Sequence, residues 1–126
     1  MRILTSKNSL TSEKLRIRTK EFAHRCVKLA LALERTKLGN HISGQLIRCS
    51  TSVAANYRAS CLAQSRSHFR SKLSIVLEES DESLFWIEFA VEEKLVRGNK
   101  VKNLIKEAQE LTAIFYSTRK TLSIKK

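Results

Sequence analysis

Apolar residues recur along this chain at intervals of three and four, the spacing that gathers them on one face of an α-helix. The clearest case begins at Ile42. At 100° per residue Ile42, Leu46, Cys49, Val53 and Tyr57 share one face, while Gln45, Arg48, Ser52 and Asn56 form a polar stripe beside it. The following run has one apolar seam of Phe69, Leu73, Val76, Leu84, Ile87, Val91 and Leu95. A second seam of Ile75, Trp86 and Phe89 lies on its far side, with Glu79 and Glu82 among those residues. A helix that is apolar on two sides is covered on two sides.

The same periodicity divides the chain into four helices. The first is expected from Thr11 or Ser12, either of which offers a capping hydroxyl, to about Thr36, with Leu15, Phe22, Cys26, Leu29 and Leu33 as its seam. The second starts after Asn40 as N-cap and ends near Leu62, where Ser60, Ser65 and Ser67 interrupt the pattern. Ser65 is the candidate cap of the third helix, which runs to about Val96. The fourth spans about Lys100 to Leu122 on a heptad-like seam of Val101, Leu104, Ala108, Leu111, Phe115 and Leu122. Gly39 and Gly98, each followed by asparagine, read as left-handed helix stops. Connections this short join antiparallel neighbours, so the expectation is an all-α, up-and-down antiparallel four-helix bundle over residues 12–123, between a polar tail at 1–11 and a basic tail at 124–126.

The runs TSVAANYRA and SHFRSKLSIVLEESDESLFWIE, at Thr51–Ala59 and Ser67–Glu88, resemble the four-helix-bundle family named for the 23S rRNA intervening-sequence proteins, and the likeness extends over nearly the whole chain. That resemblance implies a homopentamer assembled as a ring. The architecture is also similar to that of the accessory proteins of diversity-generating retroelements, which are basic and act with a reverse transcriptase and nucleic acid.

Composition sets independent bounds. A chain of 126 residues without proline is one domain, able to bury roughly two-thirds of its unfolded surface. No apolar run approaches the length of a membrane span or a signal peptide, so a cytoplasmic location is expected. Charge adds more. The chain is +12, and residues 1–72 carry all of the excess, with 15 basic against 3 acidic side chains. Such a field favours RNA, DNA or a nucleic-acid-processing partner without specifying sequence. The candidate phosphate contacts are Arg35, Lys37, Arg97, Lys100 and Lys102 at one pole, and Lys14, Arg18, Arg25 and Lys28 along the first helix. Arg58, Arg66, Arg70 and Lys72 collect at the opposite pole.

The polar stripe reads as structural. Arg48 is expected to pair with Glu79 or Glu82 as a buried charge, within a network of Gln45, Arg48, Ser52, Asn56, Glu79 and Glu82. Surplus apolar surface at Ile47, Ala54, Ile75, Trp86 and Phe89 is expected to contact further copies of the chain. Catalytic chemistry is not indicated. Arg18 and His24, like Arg35 and His41, stand six residues apart and point about 240° away from each other, against a helical ribonuclease. Cys26, Cys49, Cys61 and His24, His41, His68 show no metal-ligand spacing, and no phosphate loop or nucleophile elbow is present. The function expected from sequence is a non-enzymatic, cofactor-free oligomeric scaffold engaging nucleic acid or a nucleoprotein partner; the alternative is a purely structural homo-oligomeric module.

Overall fold

A computed structural model of the chain describes the backbone of residues 6–124 and the side chains of residues 12–122. Four helices follow one another, α1 (Ser6–Ala32), α2 (Lys37–Ser60), α3 (Arg66–Glu92) and α4 (Gly98–Ile124), joined by connections of four or five residues, and no strand occurs among the described residues. Short links force each helix to return along its predecessor. Thus α1 packs on α2, α2 on α3 and α3 on α4, and a lighter contact between α1 and α4 closes the bundle.

The seams expected from periodicity form the core. Ile42, Leu46, Cys49, Val53 and Tyr57 of α2 are buried, as are Val101, Leu104, Ala108, Leu111, Phe115 and Leu122 of α4. On α1, Phe22 and Cys26 are buried and Leu15 and Leu29 are half-buried, and Leu33, just past the helix, is buried. The seam of α3 is met in part: Phe69, Leu73, Val76 and Ile87 are buried as expected, but the remainder differs. Its centre is Ser80, Ser83 and Ala90, all fully buried, whereas Leu84, Val91 and Leu95 sit half-buried at its edge. Small side chains are needed there because α3 has a neighbour on each side. Ser83 Oγ reaches Cys49 Sγ of α2 at 3.3 Å, and Ser80 Oγ meets Thr112 Oγ1 of α4 at 3.0 Å. Each serine also donates to a carbonyl of its own helix, Glu79 O or Leu77 O, so its hydroxyl is satisfied in the core.

Helix boundaries depart from the sequence reading, for local reasons. Thr11 and Ser12 lie inside α1, not at its start, and the Ser12 hydroxyl accepts from Tyr57 OH at 3.3 Å and lies 3.2 Å from Cys61 Sγ. The cap of α2 is Thr36, whose Oγ1 accepts from Gly39 N at 3.0 Å, in place of Asn40. Gly39 and Gly98 are not left-handed stops; both lie in the first turns of helices and neither has positive φ. Gly39 is required for a different reason. The Glu34 carbonyl folds over the start of α2, and a Cβ on Gly39 would lie 2.0 Å from its oxygen. Ser65 does cap α3, accepting from His68 N at 3.0 Å. After α3, Lys94 takes the left-handed position with φ 63°. There Lys94 N donates to Val91 O and Leu95 N to Ala90 O, both at 2.9 Å, the paired bonds of a Schellman motif.

Cys26 and Cys49 are buried free thiols. Burial pushes the first up to about 12 and the second to about 11, so both stay protonated at neutral pH and act as packing groups.

The two glycines of α2 give opposite expectations. Gly39→Ala drives a methyl into a backbone oxygen and should lower stability by about 1–3 kcal/mol. Gly44→Ala meets no atom within 4 Å and should raise it by about 0.5–1 kcal/mol through helix propensity. Chemical denaturation followed by circular dichroism measures both; a neutral Gly39→Ala would contradict the close approach.

Candidate functional site

The polar stripe of α2 faces the acidic edge of α3, and the two interlock. Arg48 Nη1 lies 3.2 Å from Glu79 Oε1, Nη2 binds Glu82, and Nε donates to Gln45 Oε1 at 3.4 Å. Ser52 Oγ donates to Glu79 Oε2 at 3.3 Å, and Asn56 Nδ2 donates to Ser52 Oγ at 2.9 Å. All six residues expected in this network are therefore joined. The expected burial is absent, since the Arg48 side chain is 49% exposed and Glu82 35%. Helix geometry explains it: the stripe lies beside the buried face and opens to solvent at the α2–α3 groove. The Arg48 hydrogen bond, followed by that from Trp86 Nε1, holds the Glu82 carboxyl below its ordinary value against the opposing effect of burial.

Aromatic rings adjoin this network. Trp86 makes edge contacts with His41 of α2 (5.5 Å between centroids), Phe85 (4.9 Å) and Phe89 (5.9 Å), while Phe85 and Phe89 stack at 5.7 Å. Of the expected interface residues, Ile47 and Trp86 pack partly into the core, and Ala54, Ile75 and Phe89 are half-buried. Phe85, 50% exposed, completes the cluster; the sequence reading left it out of the second seam, although it stands four residues before Phe89 and so on the same side of the helix.

The basic residues separate into engaged and exposed sets. Arg18 grips α4 through a fork on Glu107, with Nε to Oε2 at 2.7 Å and Nη2 to Oε1 at 2.8 Å, and reaches Glu110 at 2.7 Å. The Glu107 hydrogen bond raises its pKa above the ordinary arginine value. Arg18 thus clamps the lightly packed α1–α4 seam through a partner 89 residues away in sequence. Lys14, Arg25 and Lys28 are exposed, as are Arg35, Lys37, Arg97, Lys100 and Lys102 at the pole of the α1–α2 and α3–α4 turns. Exposed Glu34, Glu92 and Glu93 share that pole. It also contains a cleft of roughly 880 Å³, floored by Ala32, Val91, Leu95 and Val96 and rimmed by Lys94, Arg97 and Lys100. The opposite pole carries Arg58, Arg66, Arg70 and Lys72, with Arg119 and Lys120 from α4, and no acidic residue occurs between Arg58 and Leu77 or after Glu110. Among the described residues no group of three histidine, cysteine or carboxylate side chains is placed to hold a metal, and no helix is long and apolar enough to cross a membrane.

Comparison with known proteins follows the architecture. Residues 13–117 match the family of the 23S rRNA-intervening sequence protein. A crystal structure of a protein of unknown function from the S23 ribosomal protein family of Bacteroides thetaiotaomicron superposes with a TM-score of 0.79 at 28% identity, over 86% of this chain and 97% of that one. No curated protein matches the chain significantly.

Because Arg48 is half-exposed, Arg48→Ala should cost only about 0.5–1 kcal/mol. The depressed Glu82 pKa fixes the pH dependence. Stability from this pair is fully present above the ordinary carboxylate range, near pH 4.3, and disappears as pH falls through the lower folded-state value of Glu82. Melts of wild type and Arg48→Ala should therefore differ at pH 7 and converge in acid, below the ordinary carboxylate range; a gap that persists there would contradict the ion-pair origin.

Proposed function

As the chain belongs to the 23S rRNA-intervening sequence protein family, we propose that it is a self-assembling scaffold that binds RNA, or a nucleoprotein containing it, through its basic poles. The observation that carries this reading is the segregation of charge. Four of the carboxylates, Glu79, Glu82, Glu107 and Glu110, are engaged by Arg48 and Arg18 on the sides of the bundle. The cations at the poles outnumber the acids near them, and the chain keeps a net +12. Phosphate contacts of this kind place a polyanion without reading its sequence.

Self-assembly is supported by the α2–α3 face. There Arg48 offsets one of the two negative charges of Glu79 and Glu82, and Phe85, Trp86 and Phe89 offer apolar surface next to that patch. A copy docking on this face buries aromatics away from the cations of the poles. Repetition of the poles in an assembly, five copies in the arrangement implied by the family resemblance, then gives avidity from weak single contacts. The reading is non-enzymatic.

Two measurements test the proposal. Light scattering at micromolar concentration should report an oligomer, and Phe85→Glu should convert it to a folded monomer; a monomeric wild type overturns self-assembly. Single-stranded RNA should bind more tightly than to an equally basic control protein and weaken steeply with salt. Replacing Arg35, Lys37, Arg97, Lys100 and Lys102 by alanine should remove at least tenfold of that affinity with the oligomer intact. Loss confined to an Arg58, Arg66, Arg70 and Lys72 variant would move the site to the opposite pole, and no RNA binding at low salt would leave a purely structural module.

A further inference from the structure

The cleft at the turn pole contains a residue that the fold alone does not favour. Lys94 is the only described residue with positive φ, and it holds the Schellman position that glycine ordinarily fills. A lysine there crowds its Cβ against the following carbonyl, and the exposed side chain gains no burial in return. What the side chain does is line the cleft, together with Arg97 and Lys100. Glu34, Glu92 and Glu93, the acids of this pole, do not line it. Arg97 precedes α4; its carbonyl accepts from Lys100 N at 3.0 Å, its side chain carries no acceptor for the other first N–H groups of that helix, and the first turn is free of acids. The floor of Ala32, Val91, Leu95 and Val96 is apolar, and a volume of roughly 880 Å³ lies within the range of small-ligand sites.

Three cations around an apolar floor suit an anion with an apolar body. We propose that this cleft takes one nucleotide unit of a nucleic-acid strand, its phosphate among Lys94, Arg97 and Lys100 and its sugar and base against the floor, and that lysine is kept at position 94 for this contact at the expense of stability. The inference rests on the RNA-binding reading above and narrows it to one site on each protomer.

The test uses the full chain with a fluorescent single-stranded oligouridylate, measured by anisotropy over a salt series, beside thermal melts. Lys94→Gly relieves the backbone while removing the charge. It should raise Tm by roughly 3–6 °C, weaken RNA binding, and reduce the slope of log K against log salt by about 0.7, one phosphate contact. Lys94→Arg should keep both the affinity and the Tm of the wild type. Adenosine monophosphate should compete with the RNA at least tenfold more effectively than inorganic phosphate, because only the nucleotide also covers the floor. Wild-type affinity in Lys94→Gly would overturn the cleft and leave RNA binding elsewhere on the protein. A lowered Tm in Lys94→Gly would overturn the claim that lysine is held there against stability, and equal competition by inorganic phosphate would overturn the nucleotide assignment. A wild type that fails to bind RNA at low salt removes the parent reading and this one together.

Discussion

The close approach of α2 and α3 is the constraint on which the rest of the molecule depends. Cys49 and Ser83 meet in the buried seam at 3.3 Å, and small groups at this contact let the two helices come near enough for side chains at the groove edge to span it. Arg48 reaches two carboxylates of α3, Ser52 reaches one of them, and His41 meets the edge of Trp86. Larger residues at positions 49 and 83 would force the helices apart or strain their rotamers, and the network and aromatic cluster would lose their partners together. Ser80 and Ser83 are tolerated in the core because helical carbonyls accept their protons, which avoids the desolvation cost of an unpaired hydroxyl.

A second constraint works through charge. Apolar packing joins each helix to its neighbour in sequence, whereas the α1–α4 seam is lighter and is crossed by the Arg18 fork on Glu107 and Glu110. A planar guanidinium is suited to this, since it binds two carboxylates in fixed geometry without deep burial. These lateral pairs also decide the external field. Acids engaged on the sides cannot screen cations at the ends, so a chain with a moderate overall excess presents that excess mainly at its poles and along the exposed Lys14, Arg25 and Lys28 of α1.

Legibility followed the range of the interaction. The 3.6-residue period located the seams of α2 and α4 without error, because burial of one face is a property of the helix itself. The network of Gln45, Arg48, Ser52, Asn56, Glu79 and Glu82 was also readable, since both stripes lie on adjacent helices joined by a short turn. Its exposure was not, because sequence gives the angular position of a residue and leaves open how far a groove closes over it. The Arg18 clamp spans 89 residues and left no local trace. Turns were misread for a further reason. A Gly-Asn pair signals a left-handed stop on average, but here Gly39 answers to the Glu34 carbonyl lying over α2, and the left-handed position after α3 went to a lysine that propensity would not select.

Separation of surfaces gives the architecture its functional logic. Helices of 27 residues are about 40 Å long, several times the Debye length of about 8 Å at physiological salt. Cations at the poles are therefore screened from most of the lateral α2–α3 face. Assembly of a +12 chain works against its own charge, and repulsion is weakest away from the unpaired cations, as on the face where Arg48 meets Glu79 and Glu82 and carboxylates are in slight excess. An interface at either pole would instead bring like charges together and cover the groups proposed to contact phosphate. Docking through the aromatic side face avoids both effects: it adds apolar burial, leaves every pole open, and turns like poles in the same direction around a cyclic assembly. In the proposed scaffold, self-association and polyanion binding would thus reinforce each other, because the first would multiply the surface that the second requires.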